Sequence, residues 1–283
     1  MRERKAVALA VAVSTMGVAV PAAYPASAAA AVRVITSHNW SGYAVHKSDV
    51  RFERVSGSWR QPSAVCRRGQ SSYSAFWVGI GGYSRSSHAL DQIGIELDCN
   101  TAGRQTVTAW YELVPEATRP ITMNVAGGDV MNAAVRVAGH RVTLALADET
   151  RHEAFARTLT ANVVDPTSAE WIAEAPSECS GDGNCTTLKL ADFGKLAFWQ
   201  ARAKARSGHQ GTVDSDMWNA SRILLGYSRS SRGLVARSST AHAVPSSLSG
   251  SGSAFTITFS PSRNRTRSTS ERNRQTARIA PRS

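Results

Sequence analysis

The stretch "ALDQIGIEL", from Ala89 to Leu97, carries the pattern on which the fold assignment depends. Successive side chains of a β-strand point to opposite sides of the sheet, so residues two apart share a face. One face of this stretch is mostly apolar and consists of Asp91, Ile93, Ile95 and Leu97. The other face consists of Gln92, Gly94 and Glu96. The stretch therefore predicts a strand that packs against a core on one side and presents polar groups on the other.

Two further segments divide their faces in the same way. "TVTAWYEL" (Thr106–Leu113) places Trp110 and Glu112 opposite its apolar positions, and "SAEWIAE" (Ser168–Glu174) does the same with Glu174. A solvated outer face is common in antiparallel sheets and would explain the acids alone. It explains the tryptophan and the mid-strand glycine poorly, because glycine weakens a strand unless something must approach closely. We expect a curved sheet whose open face binds an extended substrate.

Strand-like runs separated by Gly, Ser, Asn and Asp continue almost to the end of the chain. The clearest are "FWVGIGG" (Phe76–Gly82), "AAVRVAGHRVTLAL" (Ala133–Leu146) and "AFTITF" (Ala254–Phe259). The second of these indicates a hairpin that turns at Gly139, whereas "LAFWQARAKA" (Leu196–Ala205) is ambiguous between strand and helix. Many short strands at regular spacing predict an all-β fold, an antiparallel sandwich or barrel.

The two ends of the chain differ from its body. Arg2, Arg4 and Lys5 precede an apolar run and the small residues "PASA", which is typical of a secretory signal peptide over residues 1–28. Residues 29–38 then form a short N-terminal segment, residues 39–259 one sandwich domain, and residues 260–283 a basic tail that we expect to be disordered. We expect an exported protein, extracellular after removal of the signal peptide, with no membrane span.

The formal net charge of +12 raises the possibility of a nucleic-acid partner. Most of that excess lies in the leader and in the arginine-rich tail, so the body between them is only mildly basic. The charge therefore does not predict specific nucleic-acid binding, and we expect a monomer whose partners are protein or peptide substrates. The tail could also adsorb to anionic surfaces.

Four cysteines in an exported chain suggest two disulfides. Cys179 and Cys185 flank the glycine-rich turn "SGDGN", and that pairing leaves Cys66 with Cys99. Zinc binding is the alternative, but neither CxxC nor HExxH occurs and the seven histidines are scattered. We expect neither a metal nor another cofactor.

Six fragments, taken in order, resemble the glutamic peptidases, or eqolisins. They are "NWSGY" (Asn39–Tyr43), "WRQP" (Trp59–Pro62), "WVGIGG" (Trp77–Gly82), "QIG" (Gln92–Gly94), "WYELVPE" (Trp110–Glu116) and "SAEWIAE" (Ser168–Glu174). The resemblance implies an antiparallel sandwich of two bent sheets, like a lectin jelly roll or concanavalin. It also implies an endopeptidase whose catalytic residues are Gln92 and Glu174. Substrate-binding positions of the family fall on Trp77, Trp110 and Glu112.

These residue types suit peptide hydrolysis. An ionised Glu174 can take a proton from water as general base and return it to the leaving nitrogen. Gln92 can donate its amide N–H to the developing oxyanion. Because a neutral amide does not raise the pKa of the carboxyl as a second carboxylate would, Glu174 should stay ionised at mildly acidic pH. We therefore expect activity that favours acid.

Two positions depart from the fungal members of the family. Gly81 and Thr108 stand where those enzymes have aspartates, and the loss of both carboxylates argues against a very acidic optimum. A long propeptide is also missing, because only about ten residues separate the expected cleavage point from "NWSGY".

Two other functions fit part of the pattern. A jelly-roll glycoside hydrolase could use Glu112 and Glu174 as its paired carboxylates, but it would give Gln92 no necessary role. A non-catalytic, lectin-like domain that binds carbohydrate or peptide could use Trp110 as a platform. Such a binder would not depend on one particular glutamate.

Overall fold

The structure is a computed structural model that describes residues 32–180, 185–229, 235–237 and 241–261. The predicted signal peptide and nearly all of the predicted basic tail lie outside the described residues. The described residues form twenty strands and no helix. Among them there is accordingly no helix that is long and apolar enough to cross a membrane.

The strands, in chain order, are β1 (Arg33–Ser37), β2 (Trp40–His46), β3 (Phe52–Arg60), β4 (Ser72–Gly81), β5 (Leu90–Cys99), β6 (Gln105–Val114), β7 (Arg119–Ile121), β8 (Val130–Ala138), β9 (Arg141–Asp148), β10 (Glu153–Thr160), β11 (Ser168–Glu174), β12 (Ser177–Cys179), β13 (Cys185–Thr187), β14 (Lys195–Ala205), β15 (Gln210–Thr212), β16 (Asn219–Leu225), β17 (Tyr227–Arg229), β18 (Val235–Arg237), β19 (His242–Pro245) and β20 (Phe255–Ser260).

Sixteen of these strands belong to one hydrogen-bonded sheet. Its order is β10-β9-β8-β3-β14-β20-β19-β16-β2-β11-β4-β5-β6-β7, with β15 paired to β14 and β1 paired to β16. The strand pairs are antiparallel except for β1 with β16. Only one residue pair, Leu225 with Ala243, joins β16 to β19. The sheet therefore divides at this point into two halves.

The two halves pack face to face as the layers of a sandwich. Strand β4 contacts β3 and β8, which are remote from it in the sheet order, and β5 contacts β8 and β9. Fully buried apolar side chains from both halves meet in one core, among them Trp59, Val135, Ile93 and Trp171. Burial of such large side chains is the main stabilising term. The predicted antiparallel sandwich is confirmed.

The predicted division of faces is also confirmed. Ile93, Ile95 and Leu97 of β5 are fully buried in the core between the layers, as are Ala169, Trp171 and Ala173 of β11. Gln92, Trp110, Glu112 and Glu174 lie on the opposite side, because side chains alternate along each strand. The hairpin of β8 and β9 turns at Gly139, as predicted.

The ambiguous segment at 196–205 is strand β14. Its register against β3 slips between Trp199 and Arg202, where Gln200 has a φ of 53°. An extra residue of this kind forms a β-bulge and interrupts the period of two. The sequence pattern was ambiguous for that reason.

A disulfide joins Cys66, in the loop after β3, to Cys99 at the end of β5. This bond confirms the pairing that the sequence left by elimination. On β12 and β13, Cys179 and Cys185 are directly opposite each other. The side chain of Cys179 lies outside the described residues, so that second pairing stays a prediction.

Candidate active site

The outward face of the β2-β11-β4-β5-β6 layer carries a second, smaller apolar cluster. Its buried members are Ala44, Ala75, Trp77, Leu90, Trp110, Ile172 and Ile223. This face points away from the main core; we refer to the outer surface above the cluster as the cleft, and to the cluster as its floor. The five sequence-predicted site residues lie on this floor or beside it. The structure therefore places the side chains of all five residues on the same face of the layer.

Glu174, the last residue of β11, accepts hydrogen bonds through both carboxylate oxygens. Its Oε1 accepts from Nδ2 of Asn39 at 2.9 Å, and its Oε2 accepts from the indole Nε1 of Trp77 at 2.8 Å. Burial raises the pKa of Glu174 to about 7, although the hydrogen bonds from Trp77, Trp40 and Asn39 oppose this rise. The carboxyl group is thus fixed in place and holds its proton up to near neutrality.

Asn39 is a site residue to which sequence reasoning gave no role. It is the first residue of the "NWSGY" fragment, for which the resemblance implies no catalytic or binding role. Trp40, the next residue, is directly opposite Glu174 across the β2–β11 pair. The motif therefore contains Asn39, but its hydrogen bond to Glu174 depends on the pairing of β2 with β11, which the sequence does not predict.

Gln92 lies in the middle of β5 and is 5% exposed. Its Nε2 donates to Oε2 of Glu112 at 2.6 Å, and Oε1 of Glu112 accepts from the Thr118 hydroxyl at 2.7 Å. A glutamine side chain has two N–H donors and one carbonyl acceptor. Glu112 takes one N–H, while the carbonyl Oε1 of Gln92 is buried without a partner among the described residues. One donor and one acceptor remain for a ligand.

Gln92 and Glu174 lie on the two strands that flank β4. Gln92 is opposite Gly79 and Glu174 is opposite Ala75, so Trp77 lies between their positions on β4. No direct hydrogen bond joins the two side chains, but the charge of Glu112, the partner of Gln92, contributes to the raised pKa of Glu174. The two predicted catalytic residues thus share the outward face of the layer, and Trp77 lies between them.

Gly94 is required by the neighbouring strand. A Cβ atom at this position would lie 2.2 Å from the backbone oxygen of Phe76 and 2.6 Å from Cβ of Trp77. The glycine therefore lets β4 and β5 approach each other at the residue that supports Glu174. Sequence reasoning attributed this glycine to close approach by a substrate, whereas the contacts are with β4.

Gly81 also has a local reason. It adopts a φ of 99°, in the left-handed region that side chains rarely occupy, and a Cβ there would lie 2.7 Å from the backbone oxygens of Ala89 and Asp165. An aspartate is therefore incompatible with this backbone. The backbone conformation at the end of β4 therefore explains why this chain has a glycine where the fungal enzymes have an aspartate.

Several other carboxyl groups on β5 and β11 are buried. Burial raises the pKa of Glu170 well above its usual range and that of Asp98 to about 7, and the pKa of Glu96 is raised by burial and by the charge of Glu112. Asp91 lies on the core side, fully buried, with neither carboxylate oxygen hydrogen-bonded among the described residues. Burial raises its pKa to about 7. No local sequence pattern indicates that water is excluded from these carboxyl groups.

A cavity of about 660 Å³ adjoins the cleft at the end nearer Gln92. Its lining includes His46, Tyr83 and Asp165. The His46 and Tyr83 rings stack with centroids 4.4 Å apart, and both side chains hydrogen-bond the hydroxyl of Ser221. The stacking and the two hydrogen bonds hold the side chains on this side of the cavity in place. Tyr83 also packs against the second apolar cluster, whereas none of the five predicted site residues lines the cavity.

No group of three or more metal-ligating side chains occurs in the part of the chain that the structure describes. The five predicted site residues bring carboxyl, amide and indole groups to the outward face of the layer.

Comparisons with known proteins identify the family and support the fold. The model of the peptidase A4 family matches residues 38–231. No curated protein matches the chain. Among solved structures, scytalido-glutamic peptidase with a transition-state analogue inhibitor has a TM-score of 0.62 at 23% identity, and SCP-B, a member of the eqolisin family of peptidases in complex with the tripeptide Ala-Ile-His, has 0.58 at 21%. Each covers 79% of this chain and 98% of its own.

These structures share the fold, and the family model spans every strand that contributes to the cleft, from Asn39 through Glu174. Since that model matches more than half of the chain, the chain belongs to the peptidase A4 family, the glutamic peptidases, and is a protease.

Proposed function

We propose that Gln92 and Glu174 form the catalytic dyad of this peptidase. The observation that carries the proposal is the hydrogen-bonding state of the two side chains. Glu174 has both oxygens fixed by donors and still has lone pairs for a water molecule. Gln92 is anchored through one N–H and keeps its second N–H and its carbonyl oxygen available.

In the proposed reaction, ionised Glu174 takes a proton from a water molecule above Trp77. The water oxygen attacks the carbonyl carbon of the scissile peptide bond, and the C=O electron pair moves to the oxygen. The free N–H of Gln92 donates to this oxyanion, where a donor contributes most because the charge appears only in the transition state. Glu174 then gives its proton to the amide nitrogen as the C–N bond breaks.

Trp77, Trp110 and Glu112 support the dyad in different ways. Trp77 orients Glu174 through its indole N–H, and Glu112 orients Gln92 through its carboxylate. Trp110 is buried in the floor, and its indole nitrogen has no hydrogen-bond partner among the described residues. We assign Trp110 to contact with the substrate chain.

The raised pKa of Glu174 bears on the pH range. A general base must be ionised, so a pKa of about 7 places the acid limb of the activity profile near neutrality. The sequence alone predicted activity that favours acid. We now expect the activity to rise through neutral pH and the optimum to lie at or above it, because burial keeps this one carboxyl group protonated in acid.

We also propose that the protein is secreted as a monomer that acts on proteins or peptides without a cofactor. The basis is the N-terminal leader in the sequence together with the Cys66–Cys99 disulfide, because disulfides persist in oxidising compartments.

The decisive experiment replaces each dyad residue in turn. Glu174→Gln keeps the shape of the side chain and one of the two accepting oxygens but removes the proton acceptor, so hydrolysis of denatured casein should fall to background. Gln92→Ala removes the oxyanion donor and should lower kcat by roughly 10²–10³. Thr108→Ala, on the same face of β6, serves as the control and should retain activity. A Glu174→Gln enzyme that hydrolyses casein at the native rate would disprove the proposal.

A further inference from the structure

The face of the sandwich opposite the cleft carries a row of cations. Lys204 of β14 is directly opposite Arg54 of β3, which is directly opposite Arg136 of β8. Arg202 lies two residues before Lys204 and so shares its face. The residues between them, Val55, Val135 and Ala203, are buried in the core, so the cations point outward, away from the active-site layer. We call Arg54, Arg136, Arg202 and Lys204 the cationic row.

Most of this charge is not neutralised by the protein. Glu53 is the extra residue of a bulge opposite Lys204 and pairs with it at 2.6 Å. Arg54, Arg136 and Arg202 make no ion pair and no side-chain hydrogen bond to any described residue. Like charges directly opposite one another destabilise a sheet. Arg54 and Arg136 are directly opposite each other, and Arg202 is opposite Ser56, diagonal to Arg54. Repulsion between these guanidinium groups thus lowers stability unless an anion binds them.

The cationic row surrounds a cavity of about 460 Å³. Its lining consists of the four cations together with Glu53, Ser56, Ala203 and Gln210. The one carboxylate in the lining, Glu53, is paired with Lys204, so the three arginines leave the lining with a positive charge. Arginine presents a planar fork of donors that matches phosphate and carboxylate oxygens. The cavity therefore has the size and chemistry for a segment of an anionic chain.

The spacing of the row favours a densely charged chain. Side chains directly opposite each other across an antiparallel pair lie about 5 Å apart. An extended acidic polypeptide presents charges on one side only every ~6.8 Å. Single-stranded nucleic acid is bound by grooves that combine cations with aromatic rings, and this cavity has no aromatic residue in its lining. A linear polyphosphate carries its charges closer together and needs no stacking partner.

We propose that the cationic row is a binding site for a polyphosphate-type chain, separate from the peptidase cleft. Such a ligand would tether the enzyme to a phosphate-rich polymer while the cleft on the opposite face stays open to substrate. The proposal does not rest on the identity of the catalytic residues.

The test measures the affinity of the full chain for inorganic polyphosphate at several salt concentrations. The variant R54Q/R136Q/R202Q should bind at least about tenfold more weakly, and its plot of log K against log salt should be shallower by roughly 2, since each ion pair to a single-stranded polyanion contributes about 0.7. The matched control, R67Q/R68Q/R104Q, removes the same charge from exposed positions elsewhere and should change both quantities little. Both variants keep the basic tail.

Several outcomes would overturn the proposal. Equal losses in the two variants would show a response to net charge, and no loss in either would assign binding to the tail. Polyglutamate or single-stranded DNA that binds more tightly than polyphosphate, with the same sensitivity to R54Q/R136Q/R202Q, would identify another ligand class. Orthophosphate that binds as tightly as the polymer would reduce the site to a single-ion site. A lower Tm for R54Q/R136Q/R202Q would assign the arginines a structural role, because relief of repulsion should leave Tm unchanged or raised.

Discussion

The indole nitrogen of Trp77 donates a 2.8 Å hydrogen bond to Oε2 of Glu174, across the pair formed by β4 and β11. The bond joins the floor of the cleft to the carboxyl group that we propose as general base. A donor to the ionised form lowers the pKa of an acid, whereas burial raises it. At Glu174 burial is the larger effect, so the pKa is about 7 and Trp77 limits the rise.

Replacing Trp77 by Phe should move the acid limb of kcat/KM to higher pH. The variant removes a hydrogen bond that favours the carboxylate, so the pKa of Glu174 should rise further, by up to about one unit. The measurement is the pH dependence of kcat/KM, which reports groups of the free enzyme. Trp110→Phe is the matched control, because the Trp110 indole nitrogen has no partner among the described residues. The same shift in both variants would contradict the assignment.

Gln92→Glu should damage the cleft through Glu112. The new carboxyl group would replace an amide that lies 2.6 Å from Oε2 of Glu112, so the two acids would have to share a proton. We expect lower activity near neutral pH than in Gln92→Ala, because the added charge repels the oxyanion. We also expect a Tm that falls more steeply with pH than in the native protein.

The exchange of the two residues is the control for this variant. Gln92→Glu combined with Glu112→Gln restores one amide and one carboxylate to the pair, so Tm should recover while activity stays low, since the donor has moved. If Gln92→Glu alone is as stable as the native enzyme from pH 5 to pH 8, the contact with Glu112 does not operate as described.

Much of the fold followed from the sequence because the strands with a polar outer face keep a strict period of two. The faces of β5, β6 and β11 could be predicted residue by residue, and the turn at Gly139 was marked by glycine. The bulge at Gln200 could not be predicted, since it arises from the register between β14 and β3. Pairing of strands remote in sequence is set by the whole core rather than by either segment.

The residues of the proposed site were indicated by motifs rather than by periodicity. The resemblance supplied Gln92, Glu174, Trp77, Trp110 and Glu112, and the family match supports a peptidase over a glycoside hydrolase or a lectin-like domain. Contacts between segments were not predictable, because they depend on which strands become neighbours. The bond from Asn39 to Glu174 spans 135 residues, and the cationic row joins three strands. Neither leaves a local pattern in the sequence.

The buried Asp91 predicts that stability falls as pH rises. In the unfolded chain an aspartate loses its proton near ~3.9, whereas burial raises the pKa of Asp91 to about 7 in the native state. Between these values the native state binds more protons, so each pH unit costs about 1.4 kcal/mol of unfolding free energy. The stability is therefore complete below the unfolded pKa and declines up to about pH 7.

Asp91→Asn should flatten this dependence, measured as the unfolding free energy in denaturant at pH 5 and pH 7. Glu170 and Asp98 will still contribute, because burial raises their pKa as well. Asp49→Asn, at an exposed position, is the matched control and should leave the slope unchanged. A slope that Asp91→Asn does not reduce would show that Asp91 is ionised in the native protein.

Gly94→Ala should lower activity by more than its effect on stability explains. The added Cβ would lie 2.2 Å from the Phe76 backbone oxygen and 2.6 Å from Cβ of Trp77, so β4 and β5 must separate at the residue that holds Glu174. Overpacking of this kind costs roughly 1–3 kcal/mol. The control is Gly139→Ala, where the φ of 62° strains an alanine but nothing lies within 4 Å of the new Cβ. Both variants should have a lower Tm, but only Gly94→Ala should have a lower kcat/KM below its melting transition. Native kcat/KM in Gly94→Ala would show that the spacing of β4 and β5 does not position Glu174.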